Sequence, residues 1–141
     1  MAVAVLALGG VLDSTYLLLY KLGVIGTMAC GVANECERVQ ASRYSVFLGL
    51  PVAAYGLGGY LVLLILALYG LQGARVARPT ITRWLAGLSA LGVVFSLYLL
   101  YLELFVIHAI CRWCSVSGVL ILAICVVSIG GLAGSSRAPA P

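Results

Sequence analysis

The sequence predicts an all-α membrane protein: a four-transmembrane-helix bundle with a short interfacial helix between spans 1 and 2. Three observations predict it. Of the 141 residues, 64% are apolar and only 9% charged, whereas a soluble domain carries about a quarter charged residues. Mean hydropathy is +1.19, so too little polar surface exists to dissolve a globule. Four stretches reach the roughly 20 mainly apolar residues that a span requires. Eight tyrosines, two tryptophans and three phenylalanines suit anchoring at the two interfaces. The net charge of +4 is spread thinly, with no basic run, which excludes nucleic-acid binding. The expected organisation is a four-helix transmembrane catalytic domain over residues 1–132 and a flexible polar tail over 133–141.

The first span runs from Ala2 to Leu22. It lacks a basic n-region, exceeds the usual h-region length and shows no small-x-small cleavage site, so it is expected to be a mature span rather than a leader. The polar segment after it contains "ECERVQASRY", where Val39 and Tyr44 among charges suggest a short helix lying in the interface. The second span is expected over Val46–Leu71. The connection "QGARVARPTITR" carries only basic charge, and Pro79 followed by Thr80 suggests the start of the third helix. That third span is expected over Ile81–Phe105 and the fourth over Ile110–Leu132, leaving "GSSRAPAP" as a small, polar tail.

Four spans put the first and third connections on one membrane face. Cys30 and Cys36 therefore share a face with Cys111 and Cys114. Lysines and arginines near the span ends tie between the two faces: Lys21, Arg38, Arg43 and Arg112 on the cysteine side, Arg75, Arg78, Arg83 and Arg137 on the other. The compact "ARVARPTITR" segment, with three arginines and no acid, favours a cytoplasmic second connection and cytoplasmic termini. The cysteines then face the extracytoplasmic side, where disulfide chemistry persists. The inverted orientation is the alternative.

Cys111 and Cys114 are three residues apart at the start of a helix, close enough for a disulfide. The unpaired N–H groups and positive dipole end there stabilise a thiolate, and Arg112 adds charge. Thiolate is the species that attacks disulfides. Cys30 and Cys36 flank "GVANE", where Gly31 and Asn34 permit turning, so they suit a mobile, exposed disulfide. The plainer alternatives are an inert pair, a static bridge tethering the loop, or a structural membrane protein stapled by two disulfides. A four-thiolate zinc site is a rival use of the same atoms, but the five-residue gap exceeds the usual two to four, and no metal is expected. Cys125, deep in the fourth span, is expected to be a packing residue.

Among other polar groups, Asp13 interrupts the first span at a cost of about 2.5–3.5 kcal/mol if ionised at mid-bilayer. Glu103 and His108 fall near the cysteine end of the third span, placed to handle protons. A dithiol must pass two electrons onward, and no chain of cysteines or histidines crosses the membrane. A lipid-soluble acceptor fits, and a quinone of the ubiquinone or menaquinone type is expected as the cofactor. "LGLPVAAYGLGGY" offers Pro51, Tyr55 and small residues that let helices approach, although ordinary helix packing would use them as well.

Taken together, "CGVANEC", "CERVQASRYSVFLGLPVAAYG" and "YLELFVIHAICRWCSVSG" resemble the vitamin K epoxide reductase family, specifically its prokaryotic homologues. The resemblance covers nearly the whole chain. It implies a four-helix bundle around a quinone, with Cys30 and Cys36 as a loop shuttle pair and Cys36 exchanging with Cys111 through a transient disulfide. Cys114 would face the quinone. Ser42 matches the family's loop serine near the active cysteines, and Tyr55 falls where the family has an aromatic ring against the quinone. Pro51, Val52, Tyr55, Ser117 and Gly118 are the candidate quinone-binding residues. Animal members carry an asparagine near the position of Val52 and a tyrosine at that of Gly118, departures that point away from vitamin K epoxide as substrate. Several prokaryotic members carry a fused thioredoxin-like domain; this sequence ends at Pro141 without one, so a separate thioredoxin-like partner is implied. The expected function is quinone-coupled thiol oxidation supporting protein disulfide formation, with quinone or vitamin K epoxide reduction as the alternative.

Overall fold

The structure is a computed structural model that describes residues 1–30, 34–72 and 78–137. Gly31, Arg75 and the tail from residue 138 lie outside the described residues. Helix α1 spans Ala2–Lys21, and a seven-residue helix α2 spans Glu35–Ala41. A single 3-10 turn at Arg43–Ser45 leads into two strands, β1 (Val46–Phe47) and β2 (Leu50–Pro51). Helix α3 spans Val52–Gln72, α4 spans Arg78–Leu102 and runs into a π turn at Glu103–Ile107, and α5 spans Arg112–Arg137. Four of these helices are long and apolar enough to cross a membrane. The chain is a multi-pass membrane bundle, and α2 is the short helix expected between its first two spans.

Large apolar side chains such as Leu8, Leu61, Ile65, Leu97, Val119 and Leu122 point outward. In water such a surface would drive aggregation; in lipid it is the solvated face. Without a hydrophobic force between helices, close van der Waals fit decides the packing. Gly10 of α1 illustrates it: a Cβ there would come within 2.2 Å of the Tyr60 ring on α3. Gly92 of α4 gives way similarly to Ile121 of α5, which a Cβ would meet at 2.8 Å. The mid-bundle core gathers Ala7, Tyr60, Leu63, Leu85, Ile121 and Ile124.

Three boundaries differ from the sequence expectation. The second span starts at Val52, not Val46, because Val46–Pro51 forms a hairpin with Val46 opposite Pro51 and Phe47 opposite Leu50. Its two-residue turn has Leu48 at φ 50° and Gly49 at φ 83°, the left-handed pair that a tight hairpin turn requires. Pro51 therefore belongs to the hairpin, where its locked φ ends the strand and leads into the helix. The third helix starts at Arg78, with Pro79 in its first turn, where a missing N–H costs nothing. The fourth continues to Arg137, so residues 133–137, expected in the tail, are helical. Each residue added to an existing helix gains one hydrogen bond without a new nucleation cost.

Candidate functional site

The cysteines meet at one end of the bundle. Leu17, Met28, Cys36, Val39, Ala109 and Cys111 form a second buried apolar cluster, with Cys30, Cys114, Tyr16 and Trp113 packed against it. The first and third connections thus share an end, as span parity required. Cys30 and Cys36 form a disulfide across 5.9 Å between their Cα atoms, while Cys111 and Cys114 are free thiols. Cys36 and Cys111 are completely shielded, whereas Cys30 is half-buried at the cluster edge.

The loop carrying Cys30 is pinned from two helices. Tyr16 Oη on α1 accepts the Ala29 N–H at 3.1 Å, and Trp113 Nε1 on α5 donates to the Ala29 carbonyl at 3.3 Å. The two rings lie against each other, 4.9 Å between centroids. Beyond the disulfide, Asn34 starts α2 in the left-handed region at φ 48°, which Asn tolerates better than most residues. Lys21 Nζ, at the end of α1, donates to the Gln40 carbonyl and to Ser45 Oγ, satisfying a carbonyl left open by the end of α2. Ser42 Oγ donates to the Val39 carbonyl at 2.7 Å, closing the same turn.

Cys111 occupies the N-cap position of α5. Its Sγ accepts the Cys114 N–H at 3.3 Å, the bond an N-cap side chain makes to the third helical residue. Hydrogen bonding with the Cys114 side chain is the largest of the influences that lower the Cys111 pKa below that of an ordinary thiol; burial and the Glu103 charge act against it. Glu103 is 4% exposed, and its Oε2 accepts the Cys111 N–H at 3.0 Å. The π turn brings it there, since the turn ends at His108, φ 56°, whose N–H and that of Ala109 both return to the Glu103 carbonyl. π turns recur at functional sites because one extra residue re-aims a side chain. His108 itself is exposed and acts here through its backbone.

A cavity of about 830 Å³ is lined by residues of α1, α3, α4 and α5. Cys114 lines it and Cys111 does not. Of the candidate quinone residues, Val52, Tyr55, Ser117 and Gly118 line this space and Pro51 does not; Ser42 and Glu103 also reach it. Tyr55 is partly exposed, and its hydroxyl donates to the Phe47 carbonyl at 3.1 Å, tying α3 to the hairpin. Asp13 is buried and does not line the cavity. Sequence reasoning stopped at Tyr55 and missed Tyr60, whose hydroxyl donates to the Ser117 carbonyl at 2.6 Å. A tyrosine amid an apolar span was the available signal, because its O–H must find a partner.

Glu103, Cys111 and Cys114 present donor atoms within 4.8 Å of one another. Of the four sulfurs weighed for a zinc site from the sequence, those of Cys30 and Cys36 are bonded to each other. What the arrangement can do is exchange: a closed disulfide and a dithiol share one buried apolar cluster, and the dithiol borders a cavity lined by the bundle's helices. A sequence model of the vitamin K epoxide reductase family matches residues 1–129, which include all four spans' cores and every cysteine, and the chain belongs to that family. It is accordingly a membrane oxidoreductase of the thiol–disulfide type, in a family that uses quinones in general.

Proposed function

We propose that this member of the vitamin K epoxide reductase family is a quinone-coupled thiol oxidase of the prokaryotic kind. Two electrons pass from a separate thioredoxin-like protein through Cys30/Cys36 to Cys111/Cys114, and on to a membrane quinone of the ubiquinone or menaquinone type. The observation that carries it is the shared cluster, where fully shielded Cys36 and Cys111 sit between a half-buried Cys30 and a cavity-lining Cys114.

Access orders the steps. A thiolate of the partner attacks Cys30 Sγ, the more exposed end of the loop disulfide, and Cys36 leaves as a thiolate. The partner's second thiol releases the partner as a disulfide. Cys36 then attacks Cys111 in the Cys111–Cys114 disulfide, and Cys30 closes on Cys36, leaving a dithiol at the start of α5. An oxidised loop pair beside a free inner pair is the arrangement expected after this exchange. As an N-cap thiolate, Cys111 is a good leaving group when Cys30 closes on Cys36, since a lowered pKa speeds departure.

The cavity suits a quinone. Its walls are mainly apolar, interrupted by few polar groups, and its volume falls within the roughly 300–1,000 Å³ of small-ligand sites. A quinone, when bound, accepts two electrons and two protons. Val52, Tyr55, Ser117 and Gly118 would hold it, while Pro51 sets the hairpin that places Tyr55. Cys114 would meet its ring. Glu103 orients Cys111 through the backbone, and Ser42 shapes the turn behind Cys36. The cysteine end would face the extracytoplasmic side, leaving the termini cytoplasmic.

Trapping tests the relay. In a Cys30→Ser/Cys114→Ser double variant, the remaining Cys36 and Cys111 are expected to form a disulfide on mild oxidation, identified by mass spectrometry of non-reduced peptides. With Cys36→Ser, Cys30 is expected to retain a thioredoxin-like partner covalently. Absence of the Cys36–Cys111 bridge would refute the proposed route.

A further inference from the structure

One buried acid has no place in this relay. Asp13 of α1 is 6% exposed, and both of its carboxyl oxygens lack a hydrogen-bond partner among the described residues. Such a group weakens a fold, because a buried polar atom without a partner loses its hydration and gains nothing back. An apolar residue would serve packing better. An unpaired carboxylate at bilayer depth is costlier still, so the site is suited to holding the acid with its proton.

Its surroundings give that proton a direction. Tyr60 Oη donates its single hydrogen to the Ser117 carbonyl at 2.6 Å. In the 3.1 Å pair between Tyr60 Oη and Ser117 Oγ, the serine must therefore be the donor. Ser117 Oγ is left with lone pairs and no hydrogen to spare, and it is the side chain whose hydrogen bonding bears on Asp13, although neither carboxyl oxygen reaches full hydrogen-bond geometry among the described residues. Ser117 and Tyr60 line the cavity, as does Cys114, while Asp13 does not, although its chain neighbour Ser14 does. Ser117 is three residues after Cys114 and so shares its helix face. Gly10 is what lets Tyr60 press against α1 at this level.

We infer that Asp13 stores the proton which the dithiol lacks, and as Cys111 and Cys114 are oxidised passes it to Ser117 Oγ, whose own hydrogen turns from Tyr60 Oη and is given up into the cavity. This rests on the quinone reading of the cavity. The balance requires such a donor. One thiolate, at Cys111, and one thiol, at Cys114, lose two electrons and one proton as their S–S bond forms, but quinone reduction consumes two protons. Breaking the Asp13 O–H bond supplies the second, leaving a carboxylate. The proton given up when Cys111 next ionises restores the acid. Asp13 acts through Ser117, and is a positioning residue for the proton rather than a group in contact with the reacting atoms.

The test uses the full chain in detergent, reduced with dithiothreitol and then mixed with ubiquinone-1. Asp13→Asn is expected to slow quinone reduction about a hundredfold, within the range for loss of a general acid, and Asp13→Glu to restore most of the rate. Reaction of the Cys30–Cys36 disulfide with dithiothreitol should stay unchanged. Independently of any quinone, infrared spectra of the reduced protein should contain a protonated-carboxyl stretch that Asp13→Asn removes. Asp13→Leu guards against a folding artefact: Tm should hold or rise while quinone reduction falls. Wild-type rates in Asp13→Asn, an unaltered infrared spectrum, or a rate loss that merely follows a lowered Tm would each overturn the inference. If the wild type leaves ubiquinone-1 unreduced, the quinone reading fails and the delivery step fails with it; a slow Asp13→Asn beside an active wild type separates the two cases.

Discussion

The two cysteine pairs occupy one apolar cluster yet differ in almost every property that governs thiol chemistry. Cys30 sits on irregular backbone and Cys36 in the first turn of the short helix α2; they are bonded to each other and offer one sulfur towards the surface. Cys111 and Cys114 belong to the first turn of a membrane helix, are reduced, and offer one sulfur towards a cavity inside the bundle. The loop pair is positioned by side chains from elsewhere: Tyr16, Trp113 and Lys21 each reach into the segment from a helix. The inner pair is positioned by the helix it starts, with Cys111 serving as its N-cap. A relay needs this asymmetry. In the proposed relay the outer station would meet a protein, and the inner one something dissolved in lipid.

The largest expected effect breaks the inner station. Cys111→Ala or Cys114→Ala should abolish quinone-dependent thiol oxidation, a loss of at least about a thousandfold, as when one member of a catalytic unit is deleted. Cys30→Ser should abolish turnover with a protein partner but leave the inner pair's oxidation of dithiothreitol near the parent rate. Parallel steady-state assays with the two reductants would show whether the stations separate in this way. Equal losses in both assays would remove the distinction.

A smaller effect is expected from the scaffold that serves only the inner pair. Gly10→Ala forces a methyl group into the Tyr60 ring and should cost about 1–3 kcal/mol, the usual penalty for overpacking, measurable as a lowered Tm. It should also slow quinone reduction without changing reduction of the Cys30–Cys36 bridge.

The smallest effects concern ionisation of Cys111, the one station whose thiol is held below the ordinary range. A lowered pKa means that thiolate appears at lower pH, so alkylation of Cys111 by iodoacetamide should reach half its plateau rate below the pH typical of a free thiol. Cys114→Ala removes the largest cause of that lowering and should move the midpoint up. Glu103→Gln removes a charge that opposes it and should move the midpoint slightly down, while the glutamine oxygen still accepts the Cys111 N–H. Mass spectrometry of alkylated peptides across a pH series measures all three.

The four spans were legible because lipid demands long apolar helices whatever their packing, and the union of four cysteines followed from parity alone. The short helix after Asn34 was legible from its mixed composition. The start of the second span was not: Val46–Leu50 is apolar, and only the left-handed pair Leu48–Gly49, followed by Pro51, separates a hairpin from a helix. Tyr55 and Tyr60 look alike in the sequence, five residues apart in one apolar run. One ties the hairpin to α3 and the other reaches across the bundle to Ser117.

By itself the sequence determined the solvent, the number of crossings, the end of the bundle at which the thiols meet, and the kind of chemistry they can perform. These follow from hydrophobicity, helix length and residue type, quantities that local sequence carries. Only the tertiary structure decided which sulfur caps α5, that Glu103 returns through a π turn to hold it, and that Cys114 rather than Cys111 borders the cavity. It also decided that Asp13 is buried, with no hydrogen-bond partner for its carboxyl oxygens among the described residues. Each of these depends on distances between residues far apart in the chain, set by packing at Gly10, Gly92 and the pinned loop, and no local pattern encodes them.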